Sequence, residues 1–181
     1  MLELKIIEDH LPIRRKSRPG IKRPETRALV VHYTGGPGHT AKIVRNWFRI
    51  IGDSKDKYLA ASSNYIIDLN GDIYEIIPKE EVSWHGGGRS YTDLAKKLFT
   101  TPKGYIDPNL YSIGIEVCHP DATGKFTNES LEGLRRLLLY LRSIYGNIPI
   151  IRHHDITGKL CPLWFVQHSE EWNKFLKSLE A

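Results

Sequence analysis

The run Ala28-Leu29-Val30-Val31-His32-Tyr33-Thr34 is apolar almost throughout and carries a histidine near its end. A run without alternation reads as a strand covered on both faces, so helices must flank it on either side. Gly35-Gly36-Pro37-Gly38 breaks it, and Thr40 stands where a helix cap belongs. The helix that follows takes Ile43, Val44, Trp47, Phe48 and Ile51 as its apolar positions and ends at Gly52. Asn70-Gly71, between the β-prone runs 62–68 and 72–77, marks a hairpin. A further short strand is expected around Val82-Ser83-Trp84-His85, ahead of Gly86-Gly87-Gly88. Residues 89–110 hold Pro102, Gly104 and Pro108 and read as a long surface loop with one helical turn.

Residues 112–118 read as a central strand with Glu116 as its odd member. Leu134, Leu137, Leu138, Leu141 and Tyr145 then recur at helical spacing behind Glu129 and Glu132, and Gly146 ends the helix. Ile148-Pro149-Ile150-Ile151 is an edge strand, because Pro149 has no N–H for a ladder. A last helix carries Trp172, Phe175, Leu176 and Leu179 on one stripe. The pattern predicts a single α/β domain over residues 28–181, a mixed β-sheet flanked by helices.

Residues 1–27 read as a basic N-terminal arm. Over residues 14–27, Arg14, Arg15, Lys16, Arg18, Lys22, Arg23 and Arg27 stand against Glu25 alone, a local charge of +6 in a chain whose net charge is +5. The arm reads as solvated, and its charge suits a polyanion such as nucleic acid or an anionic wall polymer. No aromatic residue interleaves it, which argues against base stacking, and no nucleic-acid partner is expected. No apolar run approaches the ~20 residues that span a bilayer, so no membrane partner is expected. The N-terminus carries acids among its apolar residues and lacks a small-residue cleavage site, so no secretory leader is expected. The protein would then be made in the cytoplasm and leave by lysis or a non-classical route. Two cysteines, Cys118 and Cys161, make no disulfide framework. No exposed apolar heptad suggests a dimer, and a monomer is expected.

The chemistry concentrates in Arg152-His153-His154-Asp155-Ile156-Thr157-Gly158-Lys159-Leu160-Cys161-Pro162. Imidazole and thiolate are ligands that zinc favours, and three ligands leave a fourth position open. His32 at one strand end, His153 directly after another, and Cys161 before a helix start read either as satisfied core histidines and a small buried thiol, or as a three-ligand, open zinc site. His154 competes with His153, since adjacent side chains point different ways. Cys161 at a helix N-terminus is expected to have a lowered pKa. Glu116, an acid in an apolar strand, is either ion-paired or a desolvated general base. Lys159 is either an exposed loop lysine or an ammonium held over a reacting carbonyl. Cys118-His119 invites a thiol–imidazole reading, which alternation along a strand disfavours.

With these residues in place the chain resembles the zinc-dependent N-acetylmuramoyl-L-alanine amidases, the superfamily of phage endolysins, bacterial autolysins and peptidoglycan-recognition proteins. The resemblance runs from about residue 28 to 175. It rests on five ordered motifs: Val30-Val31-His32-Tyr33-Thr34; Tyr65 to Tyr74 around Asn70-Gly71; Trp84-His85-Gly86-Gly87; Ser112-Ile113-Gly114-Ile115-Glu116; and Arg152-His153 through Lys159-Leu160-Cys161-Pro162. It implies the amidase fold and zinc on His32, His153 and Cys161, with His153 preferred over His154. It implies Glu116 as activator of the attacking water, Lys159 at the oxyanion, and His85 in contact with substrate. Asn64 stands where many relatives carry a histidine, and Ser63 where some carry a tyrosine; Asn64 is expected to position substrate. The implied substrate is peptidoglycan or its muropeptides. A recognition module that binds without cutting is the alternative, and the joint presence of Cys161, Glu116 and Lys159 argues against it.

Overall fold

The computed structural model describes residues 4–180. Met1, Leu2 and Glu3, part of the N-terminus read for a leader, and Ala181 lie outside the described residues. Six strands form one sheet in the order β1-β4-β3-β5-β2-β6. These are β1 (Ile6–Glu8), β2 (Ala28–Tyr33), β3 (Tyr65–Ile67), β4 (Ile73–Glu75), β5 (Ser112–Val117) and β6 (Ile150–Arg152). Only the hairpin pair β3–β4 is antiparallel. The mixed sheet and the edge position of β6 match the sequence-based expectation.

The apolar run of β2 explains its place. It lies between β5 and β6, and Ala28, Leu29, Val30 and Val31 are all fully buried. Leu29 and Val31 face one side with Ile113, Ile115 and Val117 of β5. There they meet Leu134, Leu137, Leu138 and Leu141 of α4 (Asn128–Tyr145), and Phe165 and Trp172 of the C-terminal helices α6 (Leu163–Gln167) and α7 (Ser169–Lys177). Ala28 and Val30 face the other side, against Ala95 and Phe99 of α2 (Asp93–Phe99) and Ile156 of α5 (His153–Thr157). On that same side Val44, Phe48 and Ile51 of α1 (Ala41–Asp53) cover Ile66 and Ile76. Period-two alternation therefore sends His32 and Glu116, register partners on β2 and β5, to the α1/α2 side.

Four expectations are corrected. Residues 89–110 contain two short helices: α2, capped by Thr92 accepting from the Ala95 N–H, and α3 (Pro108–Tyr111), capped by Asp107. Seven and four residues are too few to show a helical period. Residues 82–85 form no strand; they enter a turn. The apolar stripe of α1 is narrower than the sequence suggested, for Ile43 and Trp47 are half exposed. Adjacent pairs such as Ile43/Val44 and Trp47/Phe48 point about 100° apart, so one of each must leave the core. Finally, the basic N-terminal segment is not a solvated arm. β1 pairs with β4 and Leu11 is fully buried. Arg18 makes two bonds to Glu81 at 2.7 and 2.8 Å, and Arg14 pairs with Asp53. Arg23 is 6% exposed and donates to Ser112 O and to Asn64 Oδ1.

Helix α4 meets the hairpin at Gly133. A Cβ there would come 2.5 Å from the Gly71 carbonyl oxygen and 3.0 Å from Ile67 Cγ2. Both belong to a hairpin already held by the sheet. Gly133→Ala is expected to lower stability by about 1–3 kcal/mol in urea unfolding. An unchanged midpoint would mean that the hairpin yields.

Candidate metal centre

The parallel strands β5, β2 and β6 end at the same edge of the sheet, and the chemistry-bearing side chains collect there. His32 is the fifth residue of β2, beside Glu116. His153 opens α5 directly after β6, where Asp155 caps the turn by accepting from the Arg152 backbone N–H at 2.8 Å and from its guanidinium. Cys161 closes the loop that follows. One ligand atom each from His32, His153 and Cys161 lie within 4.8 Å of one another. His32 Nδ1 and Cys161 Sγ are 3.7 Å apart. Donor atoms around a small tetrahedral cation with Zn-like bond lengths lie about 3.3–3.7 Å apart, so the group fits such an ion with little adjustment. His154 is not part of it. Its Nδ1 meets the Lys159 carbonyl at 2.8 Å and its N–H the Cys161 carbonyl at 2.9 Å, so it shapes the ligand loop from outside.

Proton positions follow from the acceptors. His85 Nε2 lies 3.3 Å from the Ser112 carbonyl, which can only accept, so this nitrogen carries the proton. Burial holds the His85 imidazole neutral, its pKa pushed down to about 3. Its Nδ1 is therefore an acceptor, and His32 Nε2, 3.0 Å away, donates to it. That leaves the His32 Nδ1 lone pair free, and this is the atom facing Cys161 Sγ. His153 follows the same logic: its Nε2 donates to the Gly87 carbonyl at 3.3 Å, which frees Nδ1. The Trp84-His85-Gly86-Gly87 turn thus orients both imidazoles, in the manner of outer-shell partners of metal ligands. Asn109 fixes the turn by accepting from the N–H groups of His85 and Gly86 at 2.9 and 2.8 Å.

Room for the His85 ring is made by Gly114 in the middle of β5. A Cβ at Gly114 would lie 2.5 Å from His85 Cγ. Glycine inside a strand signals such a close approach, so this part of the arrangement was available in the sequence.

Electrostatics are set by burial. It drives the His32 pKa well below 6.5, helped by the neighbouring His153 and His85, and the His153 pKa to about 4. Both imidazoles are neutral near pH 7, as ligands must be. Burial also pushes the Cys161 thiol up to about 12, with Glu116 acting in the same direction. The expectation of a thiol acidified by a helix N-terminus is therefore corrected: α6 has five residues and desolvation dominates. A divalent cation supplies what the thiol lacks, since a coordinating thiol loses its proton. Glu116 Oε2 is shut off from solvent without any hydrogen-bond partner, and burial pushes its pKa up to about 8. No ion pair forms at Glu116 among the described residues, which removes the bland reading of that acid.

A cleft of about 370 Å³ opens over these groups, walled by Val44, Trp47 and Phe48 of α1 and by Trp84, with Lys159 and Leu160 on the ligand loop. Lys159 is exposed and lines the cleft beside Cys161. One expected substrate contact is elsewhere: Asn64 is fully buried, and its amide bonds to Arg23, Ser83 and the carbonyls of Pro78 and Glu81. His85 lines the cleft, but both its nitrogens are engaged by protein groups. Cys118 and His119 form no nucleophilic pair. The Cys118 thiol is buried among Ile66, Ile76 and Val44, and His119 Nδ1 bonds the Asp121 carbonyl at 2.7 Å. Among the described residues no helix is long and apolar enough to cross a membrane.

The fold and this cluster define an α/β domain with a buried three-donor group, His32, His153 and Cys161, that could hold a metal ion. Residues 22–164 match the N-acetylmuramoyl-L-alanine amidase family, and the chain belongs to that family. It is 28% identical over 182 residues to N-acetylmuramoyl-L-alanine amidase CwlL of Bacillus licheniformis, covering 98% of this chain and 47% of CwlL. It is 28% identical over 176 residues to N-acetylmuramoyl-L-alanine amidase BlyA of Bacillus subtilis strain 168, covering 95% of this chain and 46% of BlyA. The chain thus spans about half the length of these curated relatives. Its fold is similar to the structure of PlyL, with a TM-score of 0.71 at 19% identity over 97% of this chain and 96% of that one.

The sign of the Glu116 effect on stability is fixed by the direction in which burial moves its pKa. Below about pH 4.5 the carboxyl is neutral in both folded and unfolded chains. Between about 4.5 and 8 only the unfolded chain ionises, so stability falls as pH rises through that window. In metal-free protein, Glu116→Gln is expected to gain stability relative to wild type across this window. The gain should reach a few kcal/mol, since each tenfold change in proton affinity is worth about 1.4 kcal/mol. A difference that stays flat from low to high pH in urea unfolding would contradict a neutral buried Glu116.

Proposed function

We propose that this chain is a zinc-dependent peptidoglycan hydrolase that cleaves the amide between the lactyl group of N-acetylmuramic acid and L-alanine. One observation carries the reading: two imidazoles and a thiol, each with a free donor atom, converge within 4.8 Å beside the half-buried Glu116, whose Oε2 is shut off from solvent without a partner. His32, His153 and Cys161 would hold the ion. When bound there, zinc supplies a Lewis acid that polarises the scissile carbonyl and acidifies water at an open ligand position to a pKa of about 7. Family membership and the names of the amidases similar to this chain support the same bond as the target.

The chain's own residues do the rest. Glu116 is neutral without a cation, because burial holds its pKa at about 8; beside a bound divalent ion it would ionise and then accept the proton of the attacking water. It then returns that proton to the departing amine nitrogen, which leaves as the free α-amino group of L-alanine. Lys159 reaches the cleft from the ligand loop and faces the carbonyl oxygen as negative charge gathers there. Val44, Trp47, Phe48 and Trp84 exclude water from the sides. Asn64 takes no part in contacting substrate. It ties Arg23 to the 78–81 loop and so stiffens the floor under the His85 turn.

Digestion of murein should release L-alanyl amino termini, stop with a chelator and resume with zinc; chelator-insensitive release would overturn the zinc reading. Glu116→Gln is expected to keep zinc while turnover falls about 10²–10⁴-fold. Lys159→Ala should lower kcat more than it raises KM, and a change in KM alone would contradict its role at the oxygen. Gly114→Ala is expected to displace His85 and weaken zinc about 10–100-fold in chelator competition. An unchanged zinc affinity would mean that His85 does not orient His32.

A further inference from the structure

Four neighbouring hollows, each sharing lining residues with the next, flank the candidate metal centre. Past Trp47 the central cleft leads into a shallow hollow of about 200 Å³ beside Gly36, His39 and Ile43. In the other direction, past Trp84 and Ala60, it leads into an open basin of about 890 Å³. The two ends differ in chemistry. No carboxylate, lysine or arginine lines the Trp47 hollow, and the indole there is 52% exposed. Arg15, Lys16 and Lys57 line the basin together with Ile13, Ile21 and Leu59, and no acid does.

Of the acids near these cations in sequence, Asp53 pairs with Arg14 and Arg49 and Glu81 with Arg18. Asp56, directly before Lys57, accepts the Tyr58 N–H, forms no ion pair among the described residues and does not line the basin. Lys16 Nζ is held by the backbone carbonyls of Ser54 and Asp56, which leave its charge uncompensated. The Arg15 carbonyl accepts the Trp84 indole N–H at 2.8 Å, so the basin is fastened to the turn that orients the metal ligands.

We propose that this basin is a subsite for the carboxylate-bearing peptide of the substrate, with the uncharged sugar lying towards Trp47, so that substrate crosses the metal centre in one direction. The proposal rests on the muramoyl-amide reading above. The scissile amide joins two unlike halves: an uncharged N-acetylated sugar with its lactyl arm, and a peptide that carries free carboxylates. Reversed, the carboxylates would lie against an apolar indole and three cations would stay without counter-charge. An aromatic face, by contrast, suits the apolar C–H face of a sugar ring. A phosphate-bearing wall polymer shares the anionic chemistry, but the peptide is the anion covalently attached to the reacting amide, and the basin is continuous with the cleft.

The test is calorimetric binding to the full chain carrying Glu116→Gln, which leaves ligand uncut. The probes are an N-acetylmuramoyl tripeptide with free carboxylates and the same molecule with every carboxylate amidated. The free-carboxylate ligand is expected to bind about tenfold more tightly at low salt, a gap that narrows as salt is raised. Arg15→Glu with Lys57→Glu, both at exposed positions, should bring the two affinities together, while Trp47→Ala should weaken both ligands alike. Equal affinities, a preference that survives the double variant, or no measurable binding of either ligand would each overturn the proposal. So would capture of soluble polyglycerol phosphate by the basin without any peptide-carboxylate preference. Turnover of the wild type is measured in parallel. Preference without hydrolysis sinks the enzyme reading and keeps the subsite; hydrolysis without preference does the reverse.

Discussion

The parallel pairing of β2 between β5 and β6 is the constraint on which the rest depends. Its register sets His32 beside Glu116 and Val31 beside Arg152, the residue before His153. Three side chains from sequence positions 32, 116 and 153 reach one edge because three strands run the same way and stop together. A slip of one residue would turn His32 away from Glu116 and into the leucines of α4. The apolar packing on both faces makes that slip costly, since Leu29 and Val31 fill one core and Val30 the other. The core thus fixes the register, and the register fixes the chemistry.

Burial then prepares those side chains for a cation in a particular way. Without one, the corner is close to uncharged: two neutral imidazoles, a protonated thiol and a carboxyl whose pKa has risen to about 8. Desolvation favours this state, and it leaves Glu116 Oε2 without a partner. A buried carboxyl oxygen left unpaired costs stability, and the few that native structures keep call for an explanation such as function. A divalent ion reverses the balance by drawing the proton from sulfur. The Trp84-His85-Gly86-Gly87 turn meanwhile holds both imidazoles in the tautomer that leaves a donor atom free, so a bound ion would ask only for a small closing of the group.

Much of this was legible in the sequence. The continuous apolar run of β2, the Asn-Gly hairpin and the leucine stripe of α4 each carry a period or a turn signal that tertiary contacts do not override. The candidate ligands stood out because two of the eight histidines follow or end apolar strands and one of the two cysteines closes the loop after His153. What stayed hidden depends on long-range partners. Arg23 reads as one more charge in a basic run, yet it is buried against Ser112 and Asn64. Asn64 reads as a substrate contact by analogy, and its burial is decided by a segment 41 residues away. The helix α2 is too short to show periodicity. Gly114 inside a strand signalled a close approach, but that the ring of His85 is what it admits depends on a long-range contact.

X-ray absorption at the zinc edge of the purified, zinc-loaded chain tests the central claim most directly. The account expects a first shell with two nitrogens near ~2.0–2.1 Å and one sulfur near ~2.3 Å, plus a light atom at the open position. A shell of oxygen and nitrogen alone, with no sulfur, would contradict it.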